Sequence, residues 1–225
     1  MTSDATKIFF RETIQGPGRG ETKIARRRGL RNEYAHVLVN VRPAERGRGV
    51  ILEWNAGANI PAFFCSSVLR GLHDALQAGI TGLEVTDITV SVETGSYHAV
   101  DSNEAVFREM AHKAMLQAIE QAGSTILEAM SLVLITLPAN QIEVAEIAVA
   151  RLGGEATPAV KKDDGSKALA ANMPSATVDE LIEELLAATR GSAKITSRSN
   201  GYRARLDSQD GSAGPADPVV QPTRK

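Results

Sequence analysis

Three side chains with catalytic potential, His98, Asp101 and Ser102, lie within five residues of one another. An imidazole, a carboxylate and a hydroxyl are the groups of an acyl-transfer triad, in which the histidine activates the hydroxyl. The segment lacks the strand-to-helix turn that exposes a nucleophilic serine. Asp101 and Glu104 instead have the spacing of a helix capping box. We therefore interpret Asp101 and Ser102 as capping residues. His98 is read as an exposed recognition residue or a structural histidine, with catalysis as a third hypothesis.

A predicted strand and a predicted helix flank this segment. The stretch 83–94 is rich in β-branched residues, and its alternation changes near Asp87, which indicates a bulge or bend. The helix follows the segment and ends at Gly123, a left-handed stop. Its expected buried stripe comprises Phe107, Met110, Ala111, Ala114, Met115, Ala118 and Ile119. The tip between strand and helix should therefore present residues 96–98 to a partner.

Alternating and apolar runs predict further elements before this tip. Strands are predicted at 7–14, 33–42 and 50–54, and a helix from Pro61 to Gly79. The buried stripe of that helix should comprise Phe64, Val68, Leu69, Leu72 and Leu76. Together these elements predict an α+β domain over residues 1–127.

A second α+β domain is predicted over residues 128–206. Its elements are a strand at 130–137, a helix at 138–152, a hairpin around Asp163-Asp164-Gly165, a helix opened by a capping box of Thr177 and Glu180, and a strand at 193–206 with a bulge or turn at Asn200-Gly201. The resulting βαββαβ order describes a ferredoxin-like domain. Residues 207–225, rich in Gly, Ser, Pro and Asp, predict a disordered tail.

Composition indicates which cellular compartment and which cofactors to expect. A chain of 225 residues is long enough to bury a core, and no apolar run approaches the ~20 residues of a membrane span. The first residues do not resemble a signal peptide, and the single Cys65 cannot form an internal disulfide. These features favour the cytoplasm. The four histidines and Cys65 lack zinc-ligand spacing, so we expect no metal and no other cofactor.

Positive charge is concentrated near the start of the sequence. Residues 1–48 carry 11 Lys and Arg against 5 Asp and Glu, whereas the remainder carries 14 against 22. Four arginines stand close together: Arg26, Arg27, Arg28 and Arg31. They cannot share a core, and guanidinium groups bind phosphates in a bidentate fashion. The segment is therefore either an anion-binding surface or a solvated charged loop.

Five short motifs resemble domain IV of elongation factor G and of its relatives, the ribosomal-protection tetracycline-resistance proteins. In the family's order, they are Arg11-Glu12-Thr13-Ile14, Tyr34-Ala35-His36-Val37, Gly57-Ala58-Asn59-Ile60-Pro61, Gly95-Ser96-Tyr97-His98 with Val100-Asp101-Ser102, and Ile126-Leu127-Glu128. The resemblance covers residues 8–206 and implies domains IV and V. The first would have the fold of ribosomal protein S5 domain 2, and the second would be ferredoxin-like. It is weaker after residue 130, where Arg151-Leu152-Gly153 stands in place of the family's Arg-Arg-Gly.

The resemblance also implies a partner, the ribosome. In the family, the domain IV tip enters the small-subunit decoding region and touches the tRNA–mRNA helix, and both tip loops lie at one end of the domain. The residues implied as RNA contacts are Ser96, Tyr97 and His98 in one loop, and Gly57, Ala58 and Asn59 in the other. The second loop departs from the family's usual Gly-Gly at Ala58, and a simple turn before a helix is the alternative. Arg26, Arg27, Arg28 and Arg31 would hold rRNA backbone.

A nucleotide site is not expected in this chain. The Gly-x-x-x-x-Gly-Lys-Ser/Thr pattern, in which lysine and hydroxyl serve phosphate and magnesium, does not occur in the sequence. We therefore expect a ribosome-binding A-site module that is not an enzyme, and for which GTP hydrolysis would need a separate GTPase subunit. A protein-interaction scaffold or a gene remnant is the alternative.

Overall fold

Two β-sheets organise the residues that the computed structural model describes, 9–28 and 31–205. The strands are β1 (Phe10–Ile14), β2 (Gly18–Arg28), β3 (Arg31–Pro43), β4 (Val50–Trp54), β5 (Ile88–Ser96), β6 (Ser124–Pro138), β7 (Glu155–Ala156), β8 (Val160–Lys161), β9 (Ser166–Pro174) and β10 (Lys194–Ala204). The helices are α1 (Ala62–Ala78), α2 (Glu104–Ala122), α3 (Ile142–Arg151) and α4 (Val178–Ala188). The predicted α+β class is confirmed. The predicted tail at 207–225 lies outside the described residues.

The N-terminal sheet has the strand order β2-β3-β5-β4, in which β4 runs parallel to β5 and the other pairs are antiparallel. Helices α1 and α2 cover one face of this sheet, and the even-numbered residues of β2 point toward them. At Gly20, a Cβ atom would lie only 1.8 Å from the carbonyl oxygen of Ala114. This position therefore needs glycine so that β2 can approach α2 closely.

The predicted helical stripes are buried with one exception. All seven apolar residues expected to line α2 are buried, and Gly123 ends that helix with a φ of 72°. In α1, the prediction was wrong for Leu69, which is 39% exposed, although Phe64, Val68, Leu72 and Leu76 are buried. Residue 69 follows Val68 directly, so it lies about 100° further around the helix and beyond the buried face.

The C-terminal sheet has the order β10-β6-β9, with β7 and β8 both pairing with β9, and every pair is antiparallel. With α3 after β6 and α4 after β9, this is the predicted ferredoxin-like βαββαβ arrangement, in which the second strand is divided into β7 and β8. The register of β10 shifts between Ser199 and Tyr202, where Gly201 has a φ of 75°. The bulge predicted at Asn200-Gly201 is therefore present.

The first strand joins the second sheet. Strand β1 precedes the N-terminal sheet in sequence, yet it pairs with β6 from Phe10 opposite Glu128 to Ile14 opposite Ser124. Strand β6 is accordingly longer than predicted, because its first residues pair with β1 and the later ones with β9. The pairing ties the beginning of the chain to the C-terminal unit. The boundary at residue 127 stays a prediction.

Both predicted capping boxes were wrong. The residue that caps α2 is Asn103, whose side-chain oxygen accepts a hydrogen bond from Val106 N at 3.0 Å. Asp101 lies two residues earlier, where its carboxylate faces His98 instead. Before α4, Ser175–Thr177 form a single 3₁₀ turn. The Thr177 hydroxyl donates to Pro174 O at 3.0 Å and does not cap the helix. In each case, a local contact uses the side chain that the spacing assigned to the cap.

Candidate nucleic-acid interface

Strand direction brings three connections to one end of the N-terminal unit. Because β4 and β5 are parallel, the loops that follow them, at 55–61 and 97–103, leave the same edge of the sheet. Strand β3 is antiparallel to β5, so the β2–β3 hairpin projects from that edge as well. We call residues 26–28, 31–34, 57–59 and 96–102 the distal end. The two loops expected to lie together do so.

The loop at 57–59 is fastened to β5. Asn59 Nδ2 donates to Thr94 Oγ1 at 3.0 Å, while Gly57, Ala58 and Asn59 are exposed. At Gly95, a Cβ atom would lie 2.4 Å from His36 O and 2.7 Å from the Ile60 side chain. The absence of a side chain at Gly95 therefore lets this loop pack directly on β5.

The loop at 97–102 is tethered to Tyr34 of β3. Tyr34 N donates to Asp101 O at 2.9 Å, and Ser102 Oγ donates to Tyr34 O at 2.7 Å. The same hydroxyl accepts from His98 N at 2.8 Å. The phenol of Tyr34 lies 2.7 Å from Ser96 Oγ, which adds a side-chain bond at the base of the loop. The loop is therefore held in one conformation before it meets any partner.

The outer side chains of this loop face solvent. Tyr97 is 45% exposed and the imidazole of His98 is 56% exposed. The hydroxyl proton of Ser102 is used by the carbonyl of Tyr34, so the imidazole does not activate it as it would in a triad. An exposed phenol and an exposed imidazole are groups that stack on bases and bond to sugar and phosphate.

The arginines of the hairpin do not form one row. Side chains alternate along β2, so Arg26 lies on the helix side, where it pairs with Glu33 at 2.9 Å and with Glu109 of α2 at 3.7 Å. Arg27 is exposed on the opposite side. The backbones of Arg28 and Arg31 pair across the hairpin, but their side chains lie outside the described part of the structure. These arginines are therefore neighbours in the sequence, but Arg26 and Arg27 lie on opposite faces of the sheet.

A concavity joins the hairpin to the 97–102 loop. It has a volume of about 290 Å³ and is lined by Ala25, Arg26, Arg27, Asn32, Glu33, Tyr34 and Asp101. Lys23 Nζ lies 5.7 Å from the centre of the Tyr34 ring. Sequence reasoning did not assign Lys23 or Tyr34 to the site. The period-2 pattern of β2 and β3 was the available signal, because it groups Lys23 with Arg27 on one face.

The sheet face opposite the helices carries a separate polar surface. Glu21 accepts a hydrogen bond from Arg19 at 2.7 Å, and its other oxygen lies 2.9 Å from His36 Nε2. The hydrogen bond from Arg19, and after it the one with His36, lowers the pKa of Glu21 below its ordinary value. A cavity of about 630 Å³, lined in part by Arg19, Arg42 and Glu53, lies on this face. It is distinct from the distal end.

Metal-binding clusters and membrane-spanning helices are absent from residues 9–28 and 31–205. Within these ranges, no group of three His, Cys, Asp or Glu side chains could hold a metal ion. None of the helices in that part of the chain is both long and apolar enough to span a bilayer.

The fold and the distal end define a two-unit module of mixed α and β structure in which two tethered loops and a hairpin lie at one end. Residues 6–123 match the family model described as elongation factor G, domain IV. The match covers more than half of the chain, so the protein belongs to the elongation factor G domain IV family. In this sense it is translation-factor-like.

Two similar proteins extend this comparison. Elongation factor G of Chlamydia caviae is 33% identical over 138 residues, which are 60% of this chain and 20% of that protein. The chain therefore spans about a fifth of the length of this curated relative. A crystal structure from Thermus thermophilus has the same fold, with a TM-score of 0.78 at 24% identity, over 87% of this chain and 29% of that one.

Proposed function

We propose that this chain is a ribosome-binding module that places its distal end in the decoding region of the small subunit and acts by binding, not by catalysis. The observation that carries this proposal is the convergence of two tethered loops and a basic hairpin at one end of a domain IV fold. A preorganised tip loses little conformational entropy when it binds.

The distal end offers a distinct contact for each part of an RNA strand. Tyr97 can stack on a base, and the imidazole of His98 can bond to a sugar or a phosphate. Gly57, Ala58 and Asn59 offer an exposed backbone for close approach. Arg26 and Arg27 both carry guanidinium groups that can bind phosphate, and Arg26 would exchange Glu33 and Glu109 for it. Counterion release then makes the affinity depend steeply on salt.

Co-sedimentation with purified ribosomes tests the proposal. The wild-type chain should pellet with ribosomes at low salt and be released at high salt. A Tyr97→Ala, His98→Ala variant should bind more weakly at both salt concentrations. Arg27→Ala should weaken binding and flatten its salt dependence. Arg70→Ala, which removes an exposed arginine from the body of α1, is the matched control and should behave like wild type. Absence of pelleting at low salt by folded protein would refute the proposal.

The proposal includes the biological setting of this binding. The chain would occupy the A site in the cytoplasm, contact rRNA and the tRNA–mRNA helix, and dislodge a stalled ligand or a ribosome-bound drug such as tetracycline. Any GTP hydrolysis would come from a separate GTPase subunit. GTPase activity in the purified chain would overturn the non-catalytic assignment.

One observation favours a second candidate, a protein-interaction module. The pairing of Arg26 with two carboxylates is what a solvated, structural arginine would show. In that case, the hairpin would not bind RNA, and a protein partner would use another surface. Ribosome binding unaffected by both Arg27→Ala and the Tyr97, His98 double substitution would favour this candidate.

A further inference from the structure

Strand β4 forms an outer edge of the N-terminal sheet that lacks the usual protection. Within residues 9–28 and 31–205 it pairs with β5 alone, and four of its five residues are apolar. The opposite edge strand, β2, carries exposed charges at Arg19, Glu21 and Lys23. Edges are commonly blunted by charges, by proline or by a covering segment, because their open backbone groups would otherwise pair with another strand. A covering segment is therefore expected along β4.

An apolar groove runs beside this edge on the helix side of the sheet. It has a volume of about 360 Å³ and lies between β4, helix α1 and residues 84–86. Val50 is 38% exposed and Leu52 is 50% exposed, and Leu69 of α1 is 39% exposed, so α1 covers the edge incompletely. A further segment packed here would remove apolar surface from water, which is favourable.

The backbone groups open to such a segment belong to alternate residues of β4. Asn55 N, directly after the strand, donates to Val92 O of β5. Backbone groups alternate in direction along a strand, so the odd-numbered residues of β4 face β5, and those of Val50, Leu52 and Trp54 point outward. An extended peptide can bond to this row, which is the recognition mode called β-augmentation.

Arg205, the last residue that the structure describes, lies close to the groove. Arg205 N donates to Ile126 O, and Ile126 pairs with Glu12. Glu12 is bridged in turn to Val85, which lines the groove. Neighbouring strands lie about 4.8 Å apart, so three such steps place Arg205 about 14 Å from Val85. Residues 206–218 span up to about 40 Å when extended, which is enough to reach either end of β4.

We propose that residues 218–222, Pro-Val-Val-Gln-Pro, add to the outer edge of β4 as a further strand and place a valine side chain in the groove. Val219 and Val220 are the only aliphatic β-branched residues after Arg205 in the sequence. Successive side chains of a strand point to opposite faces, so one of the two valines enters the groove in either register. The segment has too few apolar residues to fold alone, and the groove supplies the surface that it lacks.

The prolines of this segment suit an edge strand. Pro218, Val220 and Pro222 are spaced two apart, so their backbone groups would point to the same side of the added strand. A proline has no N–H to donate and is tolerated in a strand where that side faces solvent. Val219 and Gln221 would then bond to β4, and the two prolines would close the new edge to further pairing.

Amide hydrogen exchange in the full-length chain tests the added strand. The N–H of Leu52 points outward and is protected only if a segment covers it, whereas that of Ile51 faces β5 in either case. In Val219→Asp, Val220→Asp, the charges should release the segment, because an apolar groove does not solvate a carboxylate. We expect the Leu52 N–H to exchange at least about tenfold more slowly in wild type than in this variant, with the rate of Ile51 unchanged.

Ser208→Asp, Ser212→Asp is the matched control, because it adds the same charge outside residues 218–222 and should leave Leu52 protected. Leu69→Asp tests the groove from α1 and should release the Leu52 N–H as the valine variant does. Equal exchange of Leu52 in wild type and the valine variant would overturn the proposal. Protection that rises with protein concentration, with a dimer mass in light scattering, would assign the edge to a second copy and also overturn it. Ribosome binding plays no part in these measurements, so they stand apart from the proposed function.

Discussion

Two carboxylates hold loops at opposite ends of the N-terminal unit, and they do so in different ways. Glu12, at the junction with the C-terminal sheet, is fully buried. Its oxygens accept from Ile80 N at 3.1 Å, Thr81 N at 3.0 Å, Thr81 Oγ1 at 2.5 Å and Ser124 Oγ at 2.7 Å. Asp101, at the distal end, remains partly exposed, and its carboxylate lies 3.0 Å from Nδ1 of His98.

The difference separates a buried structural role from a contact at the surface. A buried carboxylate is tolerated only when its oxygens are satisfied, and Glu12 meets that condition with side-chain and backbone donors from two other segments of the chain. Its backbone also bonds to Glu84 O and accepts from Thr86 N. The Asp101 carboxylate contacts the imidazole of His98, which faces solvent. Removing the first should therefore cost much more stability than removing the second.

The largest expected effect is that of Glu12→Ala. This substitution leaves several partly buried donors without their acceptor, and each orphaned group costs on the order of 1–3 kcal/mol. We expect the free energy of unfolding to fall by about 3 kcal/mol or more, measured by urea denaturation. Glu84→Ala, which removes a half-exposed acid paired with Arg11, is the control and should change stability by less than about 1 kcal/mol. Equal effects of the two variants would contradict the structural role of Glu12.

Gly95→Ala should have the next largest effect, at the distal end. The added methyl group would meet His36 O and the Ile60 side chain at distances well below contact. Overpacking of this kind costs about 1–3 kcal/mol, and it should displace the 57–60 loop. The loss of stability is measured by urea denaturation, and the displacement by amide chemical shifts of Ala58 and Asn59. Ala99→Ser, at an exposed position of the other loop, should change neither.

Asn103→Ala tests the corrected cap of α2. Loss of an N-cap side chain costs about 1 kcal/mol, because the N–H of Val106 loses its acceptor. Asp101→Ala should cost less, since the contact with His98 is at the surface. Thermal unfolding of both variants gives this ranking. A larger loss of stability in Asp101→Ala than in Asn103→Ala would favour the Asp101–Glu104 capping box over the Asn103 cap.

The structural features that the sequence predicts correctly are those that depend on residues close together in the chain. The stripe of α2 and its stop at Gly123 follow from local spacing, and every member of the stripe is buried. The capping box failed because Asp101–Glu104 has the right spacing, but the loop bonds to Tyr34 place the aspartate against His98. That choice depends on a strand about 70 residues away.

Long-range pairing is the part that the sequence does not specify. Strand β1 is only five residues long, and nothing in it indicates a partner more than 100 residues away in β6. The same holds for Arg26, whose charge is visible in the sequence but whose partner Glu109 comes from α2. A basic segment therefore predicts an anionic partner without showing which arginines are already paired within the fold.

The smallest expected effect concerns the body of the unit between the two ends, where Arg108 of α2 donates to Asp74 of α1 at 2.6 Å. This hydrogen bond lowers the pKa of Asp74 below its ordinary value of 3.8. A carboxyl with a lowered pKa in the folded state stabilises the fold above its unfolded pKa, and that contribution is lost as the pH falls through the folded pKa.

In Arg108→Gln the pKa of Asp74 should rise toward its ordinary value. The stability gap to wild type should therefore be present at neutral pH and close on acidification below pH 3.8. Urea denaturation at a series of pH values measures this gap, with Arg70→Gln on α1 as the control. A gap that stays constant into acid would mean that Arg108 acts through packing of its side chain and not through the charge of Asp74.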